Sequence, residues 1–440
     1  MKNIDQLPNQ NPKIGLISLG CPKALVDSEK ILTSLTHNGY KINKDHRNAD
    51  LVIVNTCGFI DSAKEESINT ISSSLNENGK VIITGCLGKD KDTIKRFNGK
   101  VLSISGPSEI NKVLRTVQKS FPQQKKPIRN FLSPIGVKLT PKHYSYLKIS
   151  EGCNHKCKFC IIPDLRGKLK SFGIKDIMNE ARGLVDNGTK ELLVISQDTS
   201  AFGIDLKKTN KTDKTDIIEL CKSLSELDVW IRLHYLYPYP NVTKIIPLMA
   251  DNKILPYLDI PFQHSHPEVL KRMQRPAKKN NTSKLIDEWR KIAPDLTIRS
   301  TFIVGYPGET EDEFQHLLDW LKEVQLDRVG CFKYENVKGA KANALSGHLS
   351  EEIKEDRWNR FMKKAQEISE EKLAKKVGTI QEVIVDDIDG EGAICRTKGD
   401  APQIDGNLFI DKDFEDLTQG QKVIVKVDEA SEYDLWGKLI

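Results

Sequence analysis

The sequence predicts an α/β protein of three units: an N-terminal doubly wound α/β domain, a central partial (β/α) barrel and a small C-terminal antiparallel β-barrel. Three observations carry this expectation. Short, β-branched apolar runs alternate with helical stretches in two successive series, the pattern of parallel strands joined by crossover helices. A stretch rich in Pro, Lys and Gln at 121–142 (FPQQKKPIRNFLSPIGVKLTPK) separates the two series as a linker. Beyond Gly378 the pattern changes to brief β-runs punctuated by Gly and Asp, as in a barrel of the OB type.

In the first unit, 12–120, the runs KIGLISLG, DLVIVNT, KVIITG and VLSIS read as buried parallel strands, with helices from Asp27 to His37 and from Ile60 to Leu75. In the second, 143–376, six strands follow: SYLKISEG, ELLVISQDT, VWIRLHYLYP, PYLDIPFQH, LTIRSTFIVGYP and RVGCFKYE. Helices such as Ile174–Asp186 and Glu311–Val324 lie between them, and six repeats without a return to the first sheet suggest an open barrel. A charged helix from Ser350 to about Lys376 ends this unit. The tail, 377–440, supplies five β-runs: TIQEVIV, EGAICR, GNLFI, QKVIVKV and WGKLI.

Composition narrows the class. At 440 residues and 38% hydrophobic, the chain is long enough for about three cores and too apolar for a disordered protein. No run approaches the ~20 apolar residues of a membrane span. The opening MKNIDQLPNQNPK has no apolar signal region. A cytoplasmic, reducing location is therefore expected, and the nine cysteines are not read as disulfides. The net charge of +6 is unevenly placed: 377–440 holds six Lys/Arg against fifteen Asp/Glu, a net of −9, which leaves +15 on 1–376. Phosphate contact is driven by Lys and Arg, so an acidic tail points away from tRNA and toward a basic protein.

Six of the cysteines form two groups. Cys153, Cys157 and Cys160 stand in EGCNHKCKFCIIP, directly after the first strand of the second series. Three thiolates are one short of a tetrahedral zinc site, and would leave one iron of a four-iron cluster open; a zinc knuckle with a distant fourth ligand is the alternative. Cys21 in SLGCPKALVDSE, Cys57 in VNTCGFI and Cys86 in ITGCLG each follow a strand of the first unit. Ligands of doubly wound sheets gather at those strand ends, so the three loops can converge on a second open cluster; three unrelated buried thiols are the alternative. Cys221, Cys331 and Cys395 fall inside a helix, a strand and the tail, as packing residues. There is no glycine-rich phosphate loop. His234 and His264, at strand ends, read as hydrogen-bonded core residues.

The C-x3-C-x2-C loop, with Phe159 before its last cysteine, resembles the signature of radical S-adenosylmethionine (SAM) enzymes. The resemblance implies a [4Fe-4S] cluster on Cys153, Cys157 and Cys160 whose open iron chelates SAM. Reductive cleavage then yields a 5′-deoxyadenosyl radical, a chemistry that side chains do not supply. Two three-cysteine sites followed by a barrel similar to a TRAM domain resemble the methylthiotransferases over nearly the whole chain, from about Lys13 to Ile440.

The stretches SLGCPKALVDSE, WIRLHYLYPYP, LDIPFQHSHPEVLKRMQRP, STFIVGYPGET, RVGCFKYENVKGAKAN and GDAPQIDGNLFI are similar to one branch of that family. Its members insert a methylthio group at the β-carbon of an aspartate in the twelfth small-subunit ribosomal protein. Members that modify tRNA usually show a different context around the first cysteine. Ala24 stands where that branch generally carries Asn. The resemblance implies an auxiliary [4Fe-4S] cluster on Cys21, Cys57 and Cys86, whose sulfur is methylated by one SAM; a second SAM gives the radical that takes the β-hydrogen. Two [4Fe-4S] clusters and SAM are thus the implied cofactors. The implied partners are the ribosomal protein, free or in the ribosome, and an electron donor, with neither a membrane nor tRNA expected.

By the same resemblance Phe159 flanks the adenine, with core packing as the alternative. Ser196, Gln197 and Asp198 end the second barrel strand, where radical SAM proteins hold the SAM amino group; here SQD replaces the common GGE-like run, which leaves the role open. Gln263 reaches the ribose, and Gly305 in IVGYPGE belongs to the adenine platform, with Thr301 replacing a frequent Gly. A tRNA methylthiotransferase is the same-chemistry alternative. A non-catalytic iron–sulfur electron carrier or sulfur scaffold is the alternative of another class.

Overall fold

The computed structural model describes residues 12–122, 136–206, 215–238, 241–275 and 282–440, so most of the expected linker lies outside the described residues. The first sheet holds β1 (Lys13–Ser18), β2 (Lys41–Asn43), β3 (Leu51–Thr56), β4 (Val81–Gly85) and β5 (Ser103–Ile104). All pair in parallel, in the order β2-β1-β3-β4-β5. The helices α1 (Pro22–His37), α2 (Asp61–Asn78), α3 (Lys91–Phe97) and α4 (Ile110–Ser120) cover both faces. The two-residue period of the strands decides which. Leu51 and Ile53 pack with Ile31 and Leu35 of α1 and Val113 of α4, whereas Val52 and Val54 pack with Ile71 of α2 and Phe97 of α3. Two details differ from expectation. Strand β2 is only three residues, KIN, too short for a periodic signal, and α1 begins at Pro22 instead of Asp27 because proline suits the first helical position.

The central unit contains β6 (Tyr144–Lys148), β7 (Ser150–Glu151), α5 (Ile162–Arg166), β8 (Lys170–Ser171), α6 (Ile174–Asp186), β9 (Glu191–Ile195), α7 (Ile217–Ser225) and β10 (Trp230–Leu233). It continues through α8 (Ile246–Ala250), β11 (Tyr257–Asp259), α9 (Pro267–Arg272), α10 (Thr282–Ile292), β12 (Thr297–Val304), α11 (Glu311–Val324), β13 (Arg328–Lys333) and α12 (Glu351–Ala374). Six strands pair in sequence order, β6-β9-β10-β11-β12-β13, in parallel and without closing: the partial barrel that was expected. Its core joins strand residues such as Val194, Leu233 and Phe302 to Trp289 of α10 and Phe314 of α11.

The tail forms a closed barrel, β14-β15-β16-β18-β17, from β14 (Ile380–Ile388), β15 (Ala393–Thr397), β16 (Leu408–Ile410), β17 (Lys422–Ala430) and β18 (Leu435–Leu439). The expected antiparallel ladders are present, and one parallel pairing, β16 with β18, completes the closure.

This barrel sits on the N-terminal ends of the central strands. Arg396 pairs with Glu191 of β9 at 2.7 Å, Asp400 with Arg328 of β13 at 2.5 Å, and Tyr257 of β11 donates to Asp405 at 2.6 Å. The first unit meets the opposite, C-terminal ends, where Lys148 of β6 pairs with Asp27 of α1. Among the described residues no helix is long and apolar enough to cross a membrane.

Candidate active site

The order of the first sheet reverses between β1 and β3, and ligands of such sheets bind outside the strand ends at that reversal. Cys21 follows β1 as the N-cap of α1, Cys57 follows β3, and Cys86 follows β4. Close approach of these loops needs glycine. Gly20 has φ +92°, and a Cβ there would stand 2.8 Å from the Cys57 Cβ and 3.2 Å from its Sγ. Asn55 donates to the Ala24 carbonyl at 2.7 Å and to Ser28 at 2.8 Å, tying the end of β3 to α1.

The three thiols differ electrostatically. Burial opposes ionisation of Cys21, but Lys23, Arg166 and the backbone N–H groups of Ala24 and Lys23 outweigh it, so its pKa lies below the ordinary thiol value. Burial raises Cys57, and pushes Cys86 up to about 11. Arg166 acts on all three. Its Nη1 donates to Glu151 Oε1 at 2.9 Å, while its buried Nη2 has no hydrogen-bond partner among the described residues. An orphaned guanidinium N–H beside three thiols fits a site for an anionic iron–sulfur group.

The second triad lies on the loop after β7. Gly152 (φ +76°) turns the chain into it, and a Cβ there would stand 2.2 Å from the Lys168 carbonyl. Each sulfur receives one N–H donor. The His155 amide donates to Cys153 Sγ at 3.4 Å, the Ile162 amide to Cys160 Sγ at 3.4 Å, and Arg275 Nη1 to Cys157 Sγ at 3.9 Å. Such donors are the means by which proteins stabilise cluster thiolates. Burial raises Cys153 to about 11 and Cys160 to about 12, so loading metal here releases protons. Among the described residues no three His, Cys, Asp or Glu side chains gather as ligands of one metal ion. A four-iron cluster asks for a wider arrangement, each thiolate on a different iron.

A buried charge network lies between the triads. Lys148 pairs with Glu151 at 2.9 Å and contacts Asp27, and Arg166 stands 3.6 Å from Asp27. Gln197 donates to Glu151 at 2.8 Å. Burial works against the Glu151 carboxylate, but Lys148 and Arg166 hold its pKa at about 2. Beside the network an apolar seam of Cys86, Ile161, Leu165, Val337 and Ala340 joins the first unit to the central one.

The residues expected around SAM all lie at C-terminal strand ends or on the cysteine loop. Ser196 is buried, its hydroxyl 3.2 Å from Thr199 Oγ1. Asp198 faces His155 Nε2 at 2.7 Å and accepts from Ser200 at 2.5 Å. His155 stacks on Tyr237 at 3.7 Å, and Arg275 lies 4.0 Å over the same ring. Gln197 and Asp198 are thus engaged by protein groups. Gln263 (φ +73°) bridges to Phe302 beyond β11. The Gly305 amide donates to Glu309 at 3.1 Å, and Phe159 packs against the buried cluster that includes Met273 and Tyr306.

His234 pairs with Asp259 at 3.2 Å, while His264 and Cys221, Cys331 and Cys395 are buried, as read from sequence. Sequence reasoning missed Lys23, Asp27, Lys148, Glu151, Arg166 and Arg275. Only Lys23 and Glu151, each two residues from a cysteine, offered a local signal.

A partial (β/α) barrel with a three-cysteine loop beyond its first strand defines the class of radical SAM proteins, and the profile of the Radical SAM superfamily matches residues 147–321. Residues 13–106 match Uncharacterized protein family UPF0004 and residues 377–440 the TRAM domain. Within the class, the chain belongs to the RimO family of methylthiotransferases. It is 60% identical over 439 residues, 99% of this chain and 96% of that one, to ribosomal protein uS12 methylthiotransferase RimO of Jannaschia sp. (strain CCS1). Against RimO of Roseobacter denitrificans the identity is 61%, covering 97% of this chain and 94% of that one. With RimO of Paracoccus denitrificans it is 60%, over 97% and 94%.

Proposed function

We propose that this chain places a methylthio group on the β-carbon of an aspartate in ribosomal protein uS12. Identity of about 60% along its whole length to relatives bearing that name supports the reading. The observation that carries it is the Arg166–Glu151 pair, with Arg166 beside the cysteines of the first unit and Glu151 two residues before Cys153.

In this reading Cys153, Cys157 and Cys160 hold the radical SAM [4Fe-4S] cluster, and Cys21, Cys57 and Cys86 hold an auxiliary one. When bound, the clusters and SAM supply a carbon-centred radical and a transferable, methylatable sulfur, which no side chain provides. The protein's part is placement and charge. Lys23 and Arg166 favour the Cys21 thiolate, and Arg275 with two backbone amides donates to the sulfurs of the other loop. Asp198 acts through His155, holding the cysteine loop against Tyr237. Phe159, Ser196, Gln197, Gln263 and Gly305 line the SAM side, and the seam around Ile161 and Val337 packs the first unit against the central one. An electron donor outside the chain supplies the electron of reductive cleavage.

The units 12–120, 143–376 and 377–440 correspond to auxiliary site, radical SAM site and partner surface, joined by the linker 121–142. The tail's net −9 favours a basic protein over tRNA, and a ribosomal substrate places the enzyme in the cytoplasm. The test is the full chain, reconstituted anaerobically with iron and sulfide and given SAM and dithionite, offered uS12 or tRNA. A methylthio group on a uS12 aspartate is expected. Modification of tRNA alone would select the tRNA alternative, and absence of 5′-deoxyadenosine would select the electron carrier.

A further inference from the structure

Lys23 joins the two halves of the site. It stands in the first turn of α1, two residues beyond Cys21, and its Nζ lies 3.3 Å above the ring centroid of Tyr235, just past the C-terminal end of β10. One side chain therefore starts at the auxiliary cysteines and ends over the face of the central barrel, within the fields of Cys21, Arg166 and Asp259.

The neighbouring buried cations Arg166, Lys148 and Arg299 each have a carboxylate partner. Arg166 and Lys148 share Asp27 and Glu151, and Arg299 is held by Asp259 and Asp405. Lys23, largely buried, makes no hydrogen bond or ion pair among the described residues, and the π-face of Tyr235 is its partner. A desolvated ammonium without an anion is costly, and a cation–π contact returns only part of that cost.

The platform is itself held under strain. Tyr235 has φ +60°, a conformation unfavourable for a bulky residue. It is fixed there by its amide on Asp259 Oδ2 at 3.1 Å and by its carbonyl, which accepts from the Thr199 amide at 3.0 Å. An available cation on a strained, over-determined aromatic seat, between two reaction centres, is arranged to receive an anion.

We propose that Lys23 is the specificity residue for the substrate's carboxylate: its ammonium pairs with the target aspartate, over the Tyr235 ring, and so fixes the β-carbon between the two cysteine sites. This rests on the aspartate-directed reading above. The pair is formed with the carboxylate and not with its amide, so aspartate is separated from asparagine by charge. A hydrogen bond between charged partners is worth about 1.5–3 kcal/mol, which corresponds to roughly a 10- to 100-fold preference.

The experiment measures binding of two forms of uS12, with Asp or with Asn at the modified position, to the reconstituted full chain in the presence of SAM. The wild-type chain should bind the Asp form at least about tenfold more tightly. Lys23→Met should bring the two affinities to within about twofold, and Lys23→Arg should restore a preference for Asp. A residue with only a structural role would weaken both forms alike and leave their ratio unchanged, and that outcome would overturn the proposal. Lack of preference in the wild type would overturn it too, whatever the variants do. Should the wild-type chain bind and modify neither form, the uS12 reading itself fails, and the assignment of Lys23 falls with it.

Discussion

Arg166 Nη1 stands 2.9 Å from Glu151 Oε1, and through that bond the residue facing the auxiliary cysteines is fixed to the strand leading into the radical SAM loop. Neither triad is positioned alone: Glu151 lies two residues before Cys153, and the Arg166 guanidinium acts on Cys21, Cys57 and Cys86. Arg166→Met would leave Asp27 and Glu151 sharing Lys148. Breaking a buried pair costs about 3–5 kcal/mol, so a marked drop in Tm is expected. Iron loading should fall in a background lacking Cys153, Cys157 and Cys160. Unchanged Tm and loading would show that the guanidinium does not organise the site.

The triads should be separable by function. Changing Cys153, Cys157 and Cys160 to Ala should roughly halve the iron and abolish SAM cleavage, because four-iron clusters are held by cysteine thiolates. Changing Cys21, Cys57 and Cys86 to Ala should leave 5′-deoxyadenosine formation and remove the methylthio product. Iron analysis and product chromatography check both. Normal product from the second variant would refute the two-site account.

Acid should loosen the tail barrel from the central sheet. Burial opposes ionisation of Glu191, Asp386 and Asp400, but Arg396 and Arg232, His143 with Arg396, and Arg328 respectively outweigh it, and all three pKa values are depressed. A depressed carboxylate contributes stability above its unfolded pKa of about 4 and loses it as pH falls through the folded value. Hydrogen exchange across 380–439 should therefore remain slow from pH 7 to about 5 and rise below about 4. Protection unchanged at pH 3 would contradict this. At neutral pH, Glu191→Gln leaves Arg232 and Arg396 without their shared carboxylate, and should cost about 3–5 kcal/mol.

The legible parts of the sequence were those with a local period or a local chemistry. The βα alternation gave both parallel sheets, and cysteines directly after strands marked both triads. The charged network was not legible, because Asp27, Lys148, Glu151 and Arg166 come from four elements and each alone resembles a solvated surface residue. Asp198 was expected to face SAM; its pairing with His155 depends on a loop geometry that spacing does not encode. Strand β2, with Ile42 between Lys41 and Asn43, is too short to show a pattern of its own and is held by register with β1.

The geometry of the tail redefines how its docking role is tested. Asp386 and Asp400 point inward, but Asp387, Asp389, Glu391, Asp411, Asp413, Glu415 and Asp416 are exposed. The loops that carry them adjoin, since a Cβ on Gly392 would stand 3.5 Å from the Asp411 Cα. Deleting the barrel would uncover Glu191 and Arg232, so charge reversal is the cleaner change. Asp411, Asp413 and Glu415 to Lys should slow association with uS12 by roughly tenfold at low salt, with a smaller effect as salt rises. Stopped-flow mixing measures it, and an unchanged rate would remove the tail from the docking surface.

The central claim is tested most directly by comparing a strain lacking this gene with its parent, by mass spectrometry of both ribosomal proteins and tRNA. The account predicts that uS12 loses one methylthio group from an aspartate-containing peptide while tRNA modification is unchanged. A uS12 that keeps the group, with a methylthio nucleoside missing from tRNA, would contradict it.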